Sequence, residues 1–447
     1  MNYFWTSPLE ETVKSSERYV RIQRRRDHVS DWLSCYVEAA PTSSNQGTTE
    51  VPFQRWFKFK EAYSPKFVTD TLGSLSYAVD RCLDPFGGSG TTALTCRMLG
   101  IKSVTTEVNP FLADLIRVKL TPIDGDIFES KVNNLLSTYR VSKLDRKLPT
   151  GHPPTLTEPG VNGRYIFPLD VFGAIKAILR YTRDWPNEEA RLVRVLLGSV
   201  LILNSNVSVN GKGRRYRKNW ETKEKSRSDF IDSFRNTVSI AAKDLRDFSN
   251  VPVGDHRVII GDTRQQLNRV RSADLAIFSP PYPNSFDYTD VYNVELWMLG
   301  YLNESEDNRN LRQSTLRSHV QTKWARNPNC LAVSSELKNV VRKLQNSREL
   351  LWDRNIPSMV QFYFDDLLSV FRHLQRILPI GHHAVVAIGD SQYANILIDI
   401  SKILPEVATA AGFVIESQGE IRSMRSSSQH GGKFELSEHC MVFKRVK

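Results

Sequence analysis

The decapeptide Leu83-Asp84-Pro85-Phe86-Gly87-Gly88-Ser89-Gly90-Thr91-Thr92 is a glycine-rich turn between a short apolar run and a longer helical one. Glycines at such a turn let the backbone approach a bound molecule, and the helix start beyond them offers unpaired N–H groups. Thr91 stands where a phosphate loop needs lysine, so this is not a phosphate loop. Glu107 follows Gly90 by 17 residues, at the end of the next expected strand. A carboxylate there can accept hydrogen bonds from both hydroxyls of a ribose. The second candidate is Ser279-Pro280-Pro281-Tyr282, directly after the apolar run that ends at Phe278. Two successive prolines forbid helix and sheet pairing and fix an extended backbone with outward carbonyls. An exocyclic amino group on a heterocycle is a poor nucleophile, because its lone pair is shared with the ring. Acceptors aimed at its hydrogens favour the pyramidal form that attacks. Ser279 Oγ and the Pro280 carbonyl could be those acceptors, and Tyr282 could stack on the base. Taken singly, each feature also reads as structural: a tight strand-to-helix connection, a surface carboxylate, a Pro-Pro turn with a packed tyrosine.

Both motifs need elements that bring them together. Arg81 to Asp84 reads as a short strand, Thr91 to Leu99 as a helix closed by Gly100, and Lys102 to Thr106 as a second strand ending on Glu107. Arg257 to Ile260, Asp274 to Phe278 and His383 to Ile388 resume that style. Strands alternating with helices predict an α/β fold with a Rossmann-like, doubly wound and mostly parallel sheet. Gly412 to Ser417 and His439 to Phe443 suggest a C-terminal antiparallel hairpin. The expected organisation is a charged extension and Ser/Thr/Asn/Gln/Gly-rich linker over residues 1–50, a ligand-binding half over 51–120 and a mainly helical insertion over 121–254. The other half of the sheet follows over 255–447, with a polar excursion at 303–358. There is no internal repeat.

Lysine and arginine number 60 against 49 acids in 447 residues, a net charge of +11 that favours polyanionic partners, nucleic acid first. Residues 212–227 hold eight Lys/Arg against two Glu, with Tyr216 and Trp220 interleaved, and a second basic loop runs from Arg422 through Arg425 to Lys433. A third cluster, Arg18, Arg21, Arg24, Arg25 and Arg26, lies near the N-terminus. Each reads either as a contact to a phosphate backbone or as a solvated segment. Five dispersed cysteines offer no disulfide framework and no C-x-x-C metal site, so no metal is expected and a reducing cytoplasm fits best. The apolar stretch Val195 to Leu203 is far shorter than the roughly 20 residues that span a bilayer, and the N-terminus lacks the order of a signal peptide.

The glycine turn together with Ser279-Pro280-Pro281-Tyr282 resembles the cofactor and catalytic motifs of the S-adenosylmethionine-dependent DNA amino-methyltransferases. Serine at the head of the second motif is similar to the cytosine-N4 branch; adenine-N6 enzymes usually have Asp or Asn there, and RNA guanine-N2 methyltransferases typically have Asp. The segment Trp56 to Leu72, with Tyr63, Ser64, Pro65 and Phe67, looks like the stretch that precedes the cofactor motif and lies against the methionine end. Glu107-Val108-Asn109-Pro110 matches the ribose step, and Asp262 the position that contacts adenine. The resemblance covers roughly residues 53–120 and 255–300; the long insertion departs from compact family spacing.

The resemblance implies S-adenosylmethionine as cofactor, held by Tyr63, Ser64, Phe67, Asp84, Pro85, Phe86, Gly88, Gly90, Thr91, Thr92, Glu107, Asn109 and Asp262. It implies catalysis by Ser279, Pro280, Pro281 and Tyr282 on a base flipped out of double-stranded DNA, by direct in-line transfer without a covalent enzyme intermediate. Lys212, Arg214, Arg215, Arg217, Lys218, Arg422 and Arg425 are the candidate DNA contacts. A restriction endonuclease is a candidate partner, and no membrane is. A non-catalytic nucleic-acid-binding subunit with a vestigial fold is the alternative of another class.

Overall fold

The computed structural model describes residues 28–59, 61–210, 213–322, 324, 333–425 and 435–447, apart from the side chains of residues 210, 424, 425 and 435. Eleven strands run through them: β1 (Arg81–Asp84), β2 (Lys102–Glu107), β3 (Val207–Asn210), β4 (Gly213–Tyr216), β5 (His256–Ile260), β6 (Leu275–Phe278), β7 (His383–Gly389), β8 (Ser391–Tyr393), β9 (Ile396–Ile398), β10 (Phe413–Arg425) and β11 (Glu435–Arg445). Seven of them form one sheet in the order β10-β11-β7-β6-β1-β2-β5. The five strands from β7 to β5 are parallel, and β11 and β10 add antiparallel to the edge. This is the expected Rossmann-like, mostly parallel sheet with an antiparallel C-terminal hairpin at its edge.

Period-2 alternation puts successive residues on opposite faces. Leu83, Ala276, Phe278, Ala384 and Val386 face the helices Ile356–Ile377 and Ile400–Ala410. Cys82, Leu275, Ile277, Val385 and Ala387 share the other face with Tyr63, Phe67 and Val68, from in and around the helix Pro65–Ser74. Both faces are covered, which is why these strands read as continuous apolar runs.

The largest core cluster lies beyond the second face. It joins Trp32, Phe53 and Trp56 to Phe111 and to the helices Leu169–Tyr181, Asn187–Leu201 and Arg227–Asp247. The segment 121–254 is thus helical and shares one core with the residues before the sheet. Asp244, fully buried, fastens it by accepting from the Phe53 amide at 2.9 Å, Trp56 Nε1 at 2.9 Å and the Arg55 guanidinium.

Three expectations need correction. The polar stretch Pro41 to Thr49 is not a free linker: Ser43, Ser44 and Thr48 are buried around a short helix, Asn45–Thr48, capped by Ser44. Local hydrogen bonds let small hydroxyl residues enter a core. The basic stretch after Lys212 is not an irregular loop, since β4 pairs with β3 as a hairpin. The C-terminal hairpin runs longer than expected on both strands, with register shifts near Ile415 and near Ile421. Arg18 to Arg26, Lys212 and the basic loop 426–433 lie outside the described residues.

Candidate active site

Strands β1 and β6 are neighbours, and the chain leaves β1 towards β2 on one side before returning to β6 on the other. Their carboxyl ends therefore flank a topological switch point, where ligands of open α/β sheets bind. The glycine turn leaves β1 and Ser279-Pro280-Pro281-Tyr282 leaves β6, and both line one cavity of about 350 Å³. Its wall also includes Phe59, Glu61, Glu107, Asn109, Phe286 and Tyr288.

The turn is shaped by close packing. Gly88 and Gly90 have φ of 50° and 80°. A Cβ on Gly90 would meet Ile116 at 2.8 Å, and one on Gly88 would press on the Phe59 ring at 3.2 Å. Asp84 accepts from the Phe86 amide at 2.9 Å and from the Tyr63 hydroxyl at 3.0 Å. Burial lifts its pKa to about 6. Lys119, 1% exposed, reaches the Ser89 carbonyl at 2.8 Å from beneath; desolvation lowers its pKa to about 7.

Glu107 ends β2 in the cavity wall. Its Oε2 accepts from the Gly88 amide at 2.7 Å and its Oε1 from the Asn109 amide at 2.8 Å. Each oxygen keeps a second lone pair, enough for the two hydroxyls of a ribose. Burial raises its pKa to about 7 against the pull of those amides. Asn109 Oδ1 caps the helix Pro110–Leu120 through the Phe111 and Leu112 amides.

Several residues expected to hold the cofactor do not line the cavity. The Tyr63 hydroxyl is buried behind the turn, bonded to Asp84 and to Thr92 Oγ1 at 2.5 Å. Ser64 caps its own helix, Phe67 packs on Tyr63 at 5.2 Å between ring centroids, and Thr91 is buried beside Ser89. Asp262 caps the turn Thr263–Gln266 and pairs with Arg264 at 2.7 Å, and Arg264 also holds Asp366 at 2.9 Å. Tyr63, Ser64, Phe67, Asp84, Gly90, Thr91, Thr92 and Asp262 thus brace the cavity without lining it, whereas Pro85, Phe86, Gly88, Glu107 and Asn109 do line it. The neighbouring Gly261 and Thr263 face it in place of Asp262, and Phe59 and Glu61 do so just before Tyr63. Phe59 and Glu61 fall within the expected segment Trp56 to Leu72, so that segment was the available signal for them, and Gly261 and Thr263 simply flank the expected Asp262.

On the other wall, the Tyr282 hydroxyl donates to Glu438 Oε1. Burial and that carboxylate push the Tyr282 pKa well up. Glu438, 1% exposed on β11, also accepts from Ser43 and from Arg422 Nε at 2.5 Å. Arg422 is therefore not a free phosphate contact but part of the cavity wall. Nothing in the spacing of positions 43, 282, 422 and 438 announces this convergence.

The hairpin β3-β4 packs against the short helix Tyr288–Val291 that follows Ser279-Pro280-Pro281-Tyr282. Arg214 and Arg215 are exposed on the hairpin, and Lys218 is exposed just beyond its second strand. Arg217 instead bonds the Val207 carbonyl at 2.9 Å and the Ile202 carbonyl at 2.7 Å. The interleaved aromatics are packed as well, Tyr165 on Trp220 and the Arg164 guanidinium over Tyr216. The Arg425 side chain lies outside the described residues. Among the described residues no helix is long and apolar enough to cross a membrane, and no group of acids, cysteines and histidines is placed to hold a metal.

Residues 5–118 match the family of N6 and N4 methyltransferases described as DNA methylase. The type II methyltransferase M.AvaI of Nostoc sp. is 25% identical over 435 residues, covering 87% of this chain and 86% of that protein; the Anabaena variabilis protein of the same name aligns equally. The type II methyltransferase M.BsoBI of Geobacillus stearothermophilus is 24% identical over 488 residues, covering 96% and 90%. Among solved structures, the rRNA methyltransferase aviRa of Streptomyces viridochromogenes aligns over 86% of this chain and 85% of its own at 10% identity, with a TM-score of 0.27. So slight a likeness carries no argument; strand order and motifs define the fold. The sequence matches bear out the resemblance to the amino-methyltransferases at the level that joins the N4 and N6 branches.

Proposed function

We propose that this chain, whose motifs, sheet and relatives are those of the S-adenosylmethionine-dependent DNA amino-methyltransferases, methylates the exocyclic N4 of cytosine at a specific site in double-stranded DNA. One observation carries the reading: the glycine turn after β1 and Ser279-Pro280-Pro281-Tyr282 after β6 share a cavity at adjacent strand ends. Serine at the head of the second motif supports N4 over N6.

The residues present suit the cofactor. Glu107 offers two fixed acceptors to a ribose, and Gly88 leaves a bare backbone beside them. S-adenosylmethionine supplies a sulfonium methyl, already attached to a good leaving group. What remains for the protein is placement, with nucleophile and methyl held in line at roughly 3–3.5 Å. Ser279 Oγ and the Pro280 carbonyl accept the amino hydrogens and direct the nitrogen lone pair at the methyl, while Tyr282 stacks on the ring. The base must leave the duplex to reach them, at a cost of a few kcal/mol offset by stacking and backbone contacts. Arg214 and Arg215 on the β3-β4 hairpin, with Lys218 just after it, supply those contacts beside the catalytic loop. The protein acts in the cytoplasm as the modification partner of a restriction endonuclease, with residues 121–254 as the segment that engages DNA.

Base-resolved mapping of methylation in DNA from cells expressing the chain tests this directly. N4-methylcytosine in a fixed sequence context is expected. N6-methyladenine alone, or no modified base at all, would overturn it.

A further inference from the structure

Glu438 gathers three parts of the chain far apart in sequence: Ser43 before the sheet, Tyr282 after β6, and Arg422 directly opposite it on β10. The register shift between Glu420 and Arg422 sets this pairing. A bulge of this kind re-aims the side chain that follows it. Burying a carboxylate is costly unless it is paired and hydrogen-bonded, and this one is both. Its two oxygens are engaged by Tyr282 on one and by Ser43 and Arg422 on the other, with Arg422 Nη2 reaching Oε1 at 3.4 Å. Glu438 thus locks the orientation of Arg422 relative to Tyr282.

A guanidinium has five N–H donors in a planar fork. Glu438 takes the Nε hydrogen and one on Nη2, and Arg422 has no other hydrogen bond among the described residues. The remaining end of the fork carries two parallel donors, on a side chain that lines the cavity beside Tyr282. Cytosine presents N4, N3 and O2 in succession along one edge. With N4 directed at Ser279 and Pro280, its next two atoms are adjacent acceptors. Adenine, placed with N6 at the same point, offers N1 and then a C–H.

We infer that Arg422, held in place by Glu438, reads the N3/O2 edge of the extruded base and so selects cytosine over adenine. This rests on the N4 reading above. Glu438 is the positioning residue and Arg422 the specificity determinant. Neither has a role in the transfer itself, which separates them from Ser279.

The test measures kcat/KM on two duplexes that differ only in carrying cytosine or adenine at the mapped target position, for wild type, Arg422→Ala, Arg422→Lys, Glu438→Gln and Ser279→Ala. Calorimetric binding of S-adenosylmethionine serves as the check on folding. Arg422→Ala is expected to reduce the cytosine-to-adenine ratio by about tenfold or more, the scale of a single bidentate pairing with a base. Arg422→Lys, which keeps the charge and removes the fork, and Glu438→Gln, which frees the arginine, should fall between wild type and Arg422→Ala. Ser279→Ala should lower both activities in parallel and leave the ratio unchanged. A ratio indifferent to Arg422→Ala and Arg422→Lys, with cofactor binding intact, overturns the inference alone. A wild-type protein that modifies adenine and not cytosine overturns the N4 reading and this inference with it.

Discussion

The Gly88 amide donates to Glu107 Oε2 at 2.7 Å, so the glycine turn and the acidic end of the neighbouring strand form one unit before any ligand arrives. The bond joins the two features that read separately as a tight connection and a surface carboxylate. Preorganisation of this kind lowers the ordering cost of binding.

Replacing Glu107 with alanine removes both the proposed ribose acceptors and the clamp on the turn. The Kd for S-adenosylmethionine should rise by about tenfold or more, the equivalent of ~1.5–3 kcal/mol for hydrogen bonds to a charged group. Gly88→Val should do at least as much, because its Cβ would press on Phe59 in a left-handed backbone conformation. Calorimetry with the purified variants is the measurement, and wild-type affinity in Glu107→Ala would remove Glu107 from the cofactor site.

Ser279→Ala should leave cofactor affinity unchanged and slow methyl transfer. Loss of one preorganised group aimed at the reacting atoms commonly costs about 10²-fold. Single-turnover rates on a mapped duplex separate this effect from DNA binding. Full activity in the variant would leave the Pro280 carbonyl as the sole acceptor.

What was legible in the sequence was local. A strand, a glycine bend and a helix follow one another within twenty residues, and two prolines after an apolar run need no distant partner to be recognised. Side-chain destinations are set by residues far along the chain and so stayed hidden. Tyr63 belongs to the expected segment, yet its hydroxyl is claimed by Asp84 and Thr92. Asp262 sits at the expected strand end, yet Arg264, itself tied to Asp366 about a hundred residues on, occupies its carboxylate. Arg217 and Arg422 count equally with their neighbours in any tally of charge. Only the fold shows one bound to backbone carbonyls and the other to a buried glutamate.

The basic hairpin separates into two kinds of arginine. Arg214→Ala with Arg215→Ala should weaken DNA binding and reduce the slope of log K against log salt by up to about two, near 0.9 for each phosphate no longer neutralised. Arg217→Ala should change that slope little and lower thermal stability instead, since its guanidinium fastens the hairpin to the end of the preceding helix. Filter-binding or anisotropy titrations over a salt series, paired with melting curves, distinguish the two. An unchanged slope in the double variant would remove the hairpin from the DNA interface.

Glu295 gives a pH signature that depends on no ligand. It is 3% exposed, its Oε2 has no hydrogen-bond partner among the described residues, and burial raises its pKa to about 8. An unfolded glutamate titrates near 4.5. Between those values the folded chain holds a proton that the unfolded chain has released, so this group's contribution to stability is full at acid pH and is lost as pH rises through about 8. Lys119, lowered to about 7, acts with the opposite sign above neutrality, which makes the total profile a poor readout. The difference between Glu295→Gln and wild type cancels that background. It should shift in favour of the variant by about 2–4 kcal/mol between pH 5 and pH 8.5. Urea unfolding at both pH values measures it, and a difference that stays flat across the range would show that Glu295 is ionised in the native state.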